Sequence, residues 1–429
     1  MNKIDVEISE NLKEKVFKTT LANGLTMYIC KKEGFNKKIG MFGTKYGSVI
    51  NEFVDINTNE RVKVPDGVAH FLEHKLFEQE GANALDLFSK IGVSSNAYTS
   101  FDQTVYFFET SNRYEESLEL LIKLVSTPYF TDENVQKEQG IIGQEISMYD
   151  DEPNYKVYFN ALQAMYHNNP VRIDIAGTIE SISHITKDTL YTCYNTFYNL
   201  SNMFFVVIGD VDVENTIDII NKNLQKYDSK RVSKEVTVFG EEEPKSVYKK
   251  EIEKTMEVYL QQLCIGFKLD LVEKEELVKR QILADIISEM YFSKISKFYK
   301  EQYELGLINE DLSFMYEGTK YFSHIVIMGE STDAKKLSQN VIDYIKKIKQ
   351  DDVDKDLFEL VKKKKIGEML LMSDTLDSSY RRVIDSILSD TDVYTDFNVL
   401  KNLKSEDIKE FLSEIQPDEN MVISTIKSK

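Results

Sequence analysis

One passage of this chain occurs twice. HITKDTLYTCYNTFY, at 184 to 198, leads to Asn202, Met203 and an apolar run; NLKSEDIKEFLSEI, at 402 to 415, leads to Asn420, Met421 and another. A single shift superposes both passages, taking Asp188 to Glu406 and Asn202 to Asn420 (406 − 188 = 420 − 202 = 218). Repetition of this kind points to an internal duplication. A chain of 429 residues is also too long for one core of ordinary size, so two related halves suit its length.

The element order agrees. In the first half LTMYIC and IGMFGTKYGSV read as strands, and PDGVAHFLEHKLF changes to helical spacing, with Val68, Leu72 and Leu76 four apart and Asp66 placed to cap. ALDLFSKIG is a short helix stopped at Gly92, and SSNAYTS and TVYFFET form a hairpin around Phe101, Asp102 and Gln103. Helices follow at 114 to 126 and 131 to 149, separated by Pro128. After a charged connector, SVYKKEI, VYLQQLCIGF, KEELVKRQILADIISEM, LINEDLSFMY and YFSHIVIMG repeat that order. The expected architecture is α/β (α+β). It comprises two homologous halves, each an antiparallel-rich sheet with helices packed largely on one face, enclosing a cavity. The boundaries fall at 1–227 for the first half, 228–247 for the linker and 248–429 for the second half.

Composition narrows the function. With 53 basic and 72 acidic side chains the net charge is −19, which repels nucleic-acid phosphates and anionic lipid, so neither nucleic acid nor a membrane is an expected partner. Such acidity serves solubility, or a cavity that attracts basic peptides. Cys30, Cys193 and Cys264 are few and far apart, without a CxxC pair, and the charged N-terminal stretch lacks the apolar region of a signal peptide. A cytoplasmic location follows. No phosphate-binding loop, dinucleotide fingerprint or nucleophile elbow is present to suggest nucleotide or acyl-ester chemistry.

The chemistry lies in HFLEH at 70 to 74. His70 and His74, four apart on a helix, project from one face and can converge on one ion, and Glu73 stands beside them. Zinc takes neutral imidazole nitrogens, and a nearby carboxylate outside the ligand set can accept a proton from water. Only 5 histidines occur in the chain, so two of them in one HxxEH pattern is not a chance spacing. Two buried histidines satisfied by hydrogen bonds are the plain alternative. A further ligand is needed, and the helix at 131 to 149 carries Glu138 and Glu145 on one face, two turns apart, with Ile141 and Ile142 in the same stripe. Carboxylates in an apolar stripe require a metal or hydrogen-bonding partner. His167, His184 and His324 read as structural or surface residues.

These residues resemble the pitrilysin/insulinase family of inverted-motif zinc peptidases, in its bacterial processing-peptidase-like branch. HFLEH matches the family's HxxEH signature, and EQGIIGQE at 138 to 145 matches its distal Glu-x6-Glu segment. The resemblance implies that one zinc is bound by His70, His74 and Glu145. It makes Glu73 the general base and Glu138 an orienting residue, with Glu138 in the ligand position as the alternative. Matches at GS (47 and 48), NAYTS (96 to 100) and AGTIESISHIT (176 to 186) extend it over the first half. The resemblance also implies that an extended peptide adds as a strand along NAYTS, touching Asn96 and Ala97.

The second half departs from the pattern. Family members carry an arginine and a tyrosine in a segment like RExxGLAY; KEQYELGLINED here has Gln302 or Tyr303 at the arginine position and Asn309 near the tyrosine. In the processing-peptidase branch a zinc-bearing subunit pairs with a homologue lacking the motif. The resemblance therefore implies a zinc metalloendopeptidase acting on peptides or unfolded segments, either as the zinc subunit of a heterodimer or as a homodimer. A catalytically silent scaffold subunit of the same fold is the alternative.

Overall fold

The computed structural model describes residues 3–227, 236–417 and 419–429; part of the expected connector, 228–235, lies outside the described residues. MFFVVIG, apolar at every position, is buried at every position, as only an interior strand can be. It is the middle of a seven-stranded sheet built from β1 (Ile4–Ser9), β2 (Glu14–Thr20), β3 (Thr26–Lys31), β4 (Lys38–Thr44), β5 (Ser94–Thr99), β6 (Thr104–Thr110) and β7 (Met203–Gly209), in the order β1-β2-β3-β7-β4-β6-β5. β7 runs parallel to β3 and antiparallel to β4, and all other pairs are antiparallel.

The second half forms a five-stranded sheet from β8 (Glu251–Met256), β9 (Gln261–Lys268), β10 (Ser313–Gly318), β11 (Ser323–Ser331) and β12 (Met421–Ser428), in the order β8-β12-β9-β11-β10. With β8 parallel to β12 and the rest antiparallel, this repeats the β3-β7-β4-β6-β5 order strand for strand. The two asparagines that reveal the repeat also do the same work. The Asn202 carbonyl accepts the Lys45 N–H at 3.1 Å and the Asn420 carbonyl accepts the Lys268 N–H at 3.0 Å, and each side-chain amide donates back to the same lysine's carbonyl. Each asparagine locks the closing strand onto its antiparallel neighbour.

The compact units are not contiguous stretches. One comprises 1–146, 174–240 and 372–388; the other comprises 147–173, 241–371 and 389–429. The helix Pro153–Met165 thus belongs with the second sheet, lying on β9 and β12. The helix Leu376–Ser389 contributes to the first unit a buried ionic cluster: Glu14 on β2 accepts from Arg382 at 2.9 Å, from the Ser379 hydroxyl at 2.9 Å and from Lys32. Among the described residues no helix is long and apolar enough to cross a membrane.

Candidate metal centre

The motif helix, Val68–Phe77, does not start on an Asp66 cap. Gly67 is the N-cap, at φ +88°, and the Asp66 carboxylate instead accepts from the Asn51 amide at 3.0 Å. The reason is close backbone packing. A Cβ on Gly67 would collide with the carbonyl oxygen of Ala176, and one on Gly177, at φ +77°, would meet the Asp66 carbonyl at 2.6 Å. Ser181 donates to the same Asp66 carbonyl at 2.9 Å. The AGTIESIS segment therefore braces the start of the motif helix, a role that its spacing in sequence gives no means of reading.

His70 in the first turn of this helix and His74 one turn on have imidazole centroids 4.5 Å apart. Their Nε2 atoms face Glu145 on the helix Asp132–Asp150: His70 Nε2 is 3.7 Å from one carboxylate oxygen and His74 Nε2 is 3.5 Å from the other. Good N–H···O bonds are shorter. Ligand atoms about 2.1 Å from a tetrahedral zinc stand roughly 3.4 Å from one another, and each Nε2 stands near that distance from its own Glu145 oxygen. Among the described residues this is the one group of three or more metal-type side chains with converging ligand atoms, all within 4.8 Å. Burial, then the neighbouring His74, pushes His70 down to about 3, which keeps its ring in the neutral form a metal requires. Its buried Nδ1 has no hydrogen-bond partner among the described residues.

Glu138 has a different position. Its carboxylate lies 3.1 Å from His74 Nδ1 and 3.7 Å from the Lys75 ammonium, on the far side of the ring from Glu145. Burial alone would raise this carboxyl, but the His74 bond and the charges of His74, Lys75 and Lys137 hold it below its usual range. Lys75, absent from the sequence reading, has a fully buried side chain and also donates to Glu78, three residues on. Only that i,i+3 spacing was available as a signal, and it describes a surface pair equally well. Of the two isoleucines in the expected stripe, Ile142 is buried and Ile141 is exposed, because the buried arc is narrower than the spacing implied.

Glu73 is buried beside the histidines, and the Thr99 hydroxyl donates to its Oε2 at 2.6 Å. Burial raises the Glu73 carboxyl; the Thr99 bond and His74 oppose this, and Glu145 adds to it. Thr99 ends β5, the last strand of the sheet, which pairs with β6 on one edge and with no strand on the other among the described residues. Asn96 and Ala97 lie on this strand opposite Phe107 and Tyr106, and the Asn96 side chain accepts from the Ala97 N–H at 2.9 Å.

The second unit holds different chemistry at the matching place. A shift of 223 residues takes Asp132 to Lys355, each the first residue of its helix, and Glu145 to Glu368. The helix Glu275–Ile287 and its π-helical continuation supply Asp285 and Glu289, four apart like the histidines. Lys364 lies 2.7 Å from Glu289 and 3.7 Å from Glu368, and Lys365 lies 3.4 Å from Glu368. Ammonium groups stand here among carboxylates. Of the two residues at the expected arginine position, Gln302 is buried and accepts from the Asn340 amide at 2.7 Å and Tyr303 is exposed; the Asn309 carbonyl accepts from the Tyr299 hydroxyl. His324 is fully buried between Glu317 and Tyr166, a structural histidine.

Fold and site together define a metallopeptidase architecture of the two-half kind, and the chain belongs to peptidase family M16, the insulinase family. Residues 56–179 match the model described as Insulinase (Peptidase family M16), and residues 184–365 match the model described as Peptidase M16 inactive domain. The uncharacterized zinc protease YmfH of Bacillus subtilis is 39% identical over 410 residues, covering 94% of this chain and 95% of that protein. A crystal structure of an M16-like peptidase from Alicyclobacillus acidocaldarius superposes with a TM-score of 0.92 at 30% identity, over 98% of this chain and 100% of that one. The mitochondrial-processing peptidase subunit beta of Caenorhabditis elegans is 29% identical over 216 residues, which is 49% of this chain and 43% of that protein.

Proposed function

We propose that this chain is a zinc endopeptidase that cleaves peptides or unfolded polypeptide segments. The observation that carries the reading is that ligand atoms of His70, His74 and Glu145 converge to within 4.8 Å of one another, with each histidine Nε2 at a near tetrahedral-edge distance from a Glu145 oxygen and no hydrogen bond between them. In this reading those three residues hold the metal, and Glu138 accepts from His74 Nδ1, which fixes the tautomer that presents Nε2. A zinc ion there supplies Lewis acidity toward a peptide carbonyl and acidifies water.

The chain's own residues do the rest. The Glu73 oxygen not held by Thr99 takes a proton from the attacking water as its oxygen bonds to the carbonyl carbon. The same carboxyl then delivers that proton to the departing amide nitrogen as the C–N bond breaks. The unpaired edge of β5, at Asn96 and Ala97, would give main-chain hydrogen bonds to an extended substrate once the Ala97 N–H leaves the Asn96 side chain, a mode that recognises backbone before sequence. Glu73→Gln is the test: it should retain zinc and lose cleavage of a quenched peptide library, and cleavage at the wild-type rate would refute the reading.

A partner is part of the proposal. Gln302 is engaged by Asn340 and Asn309 stands where the family resemblance expects a tyrosine, so the second half lacks the arginine–tyrosine pair that would polarise the scissile carbonyl. A homologous subunit without the zinc motif would supply it. Full-rate cleavage by this chain alone, with no gain from a co-purifying homologue, would leave a homodimer or monomer instead. Three buried free cysteines suit a reducing, cytoplasmic setting.

A further inference from the structure

We propose that Thr99 is a positioning residue for the base, clamping one oxygen of Glu73 so that the other faces the water; this rests on the peptidase reading above. The bond is short, at 2.6 Å, as expected for a hydroxyl donating to a carboxylate, and it is the one hydrogen bond that Glu73 makes through its side chain among the described residues. Without it the carboxylate would turn about its final side-chain torsion, which has broad wells and little intrinsic preference.

Thr99 can act as a clamp because its own place is fixed three times over. It ends β5 opposite Thr104, and the Ser100 N–H donates to the Gln103 carbonyl at 2.8 Å to close the hairpin. The hairpin end is then tied to the segment after β4: the Ser48 N–H donates to the Ser100 carbonyl at 3.1 Å and the Val49 N–H to the Phe101 carbonyl at 2.9 Å. Gly47 makes this approach feasible, since a Cβ there would collide with the Ser100 carbonyl oxygen and lie 2.5 Å from the Asp102 nitrogen. Finally, the Thr104 hydroxyl donates to the Tyr46 carbonyl at 2.9 Å and lies 3.4 Å from that of Thr99. A donor anchored on two strands and a braced loop holds its partner with little slack, which is what a proton-transfer group needs.

The same placement links binding to chemistry. Thr99 sits three residues after Asn96 on the strand whose free edge is proposed to take the substrate. A peptide adding there would stiffen the element that orients the base.

The test compares wild type, Thr99→Val, Thr99→Ser and Glu73→Gln as full-length zinc-loaded chains on the quenched peptide library, with metal-free crystal structures of the first three. Valine keeps the shape and strand preference of threonine and puts a methyl, which cannot donate, in place of the hydroxyl. Thr99→Val should lower kcat by about 10- to 100-fold while leaving KM and zinc affinity as in wild type, and Thr99→Ser should restore most of the rate. In the crystals Glu73 should hold one rotamer in wild type and Thr99→Ser and several in Thr99→Val. A wild-type kcat in Thr99→Val, an equal loss in the valine and serine variants, or an unmoved Glu73 in Thr99→Val would each overturn the proposal. If wild type cleaves no faster than Glu73→Gln, the peptidase reading fails by itself, and the Glu73 rotamers still decide the role of Thr99.

Discussion

Glu138→Gln separates the two glutamates by what each loses. In the structure Glu138 accepts from His74 Nδ1 at 3.1 Å, with Lys75 3.7 Å away and the carboxylate largely buried. The amide keeps the size and an acceptor oxygen but removes the charge, which weakens the bond to the ring and relaxes its orientation. Losing a partner of this kind typically costs metal affinity 10- to 100-fold, so a rise in zinc Kd of about 10- to 100-fold is expected, or about 1.4 to 2.7 kcal/mol. Glu145→Gln removes a proposed ligand and should weaken zinc more than Glu138→Gln does. Competition against a chromophoric chelator at pH 7.5, with both variants and wild type side by side, reads the order directly. If Glu138→Gln abolishes binding while Glu145→Gln barely changes it, the ligand roles are exchanged and the geometric reasoning is wrong.

Other perturbations probe what surrounds the centre. Gly67→Ala forces a left-handed φ on an L-residue and drives its Cβ into the Ala176 carbonyl, so it should destabilise the chain by between about 2 and 5 kcal/mol in urea unfolding; an unchanged midpoint would mean that the brace yields freely. Glu14→Gln leaves Lys32 and Arg382 buried without that carboxylate and should cost about 3 to 5 kcal/mol, measured by denaturant titration. In metal-free protein, His70 resists protonation down to about pH 3 whereas the unfolded chain binds that proton near 6.5. Stability contributed by the neutral ring is therefore present above about 6.5 and is lost as pH falls toward 3, at up to about 1.4 kcal/mol per pH unit. His70→Gln should show a flatter urea-midpoint profile over that window, and identical profiles would contradict the burial argument.

Much of this was legible because two kinds of pattern survive in one dimension. The duplication shows in Asn202 and Asn420, since each makes the same bond between the closing strand and its neighbour, and the HxxEH pair shows because helical spacing alone aligns the two rings. What could not be read was long-range. Gly67 displaced Asp66 as the cap because Gly177, more than a hundred residues on, lies against it, and no local preference encodes that approach. Thr99 looked like any strand residue until the hairpin set its hydroxyl against Glu73. Lys75 carried no signal beyond its spacing from Glu78, yet its ammonium is buried near Glu138. The exchange of helices between units escaped for the same reason: Arg382 seeks a carboxylate on β2, at the opposite end of the chain.

The most direct test is cleavage of a quenched peptide library by the purified chain, with its co-purifying homologue if there is one, before chelation, after chelation and after zinc is returned. The account predicts that cleavage is lost with the metal, recovers with zinc and is never seen in Glu73→Gln. Cleavage that survives chelation, or that persists in Glu73→Gln, would contradict it.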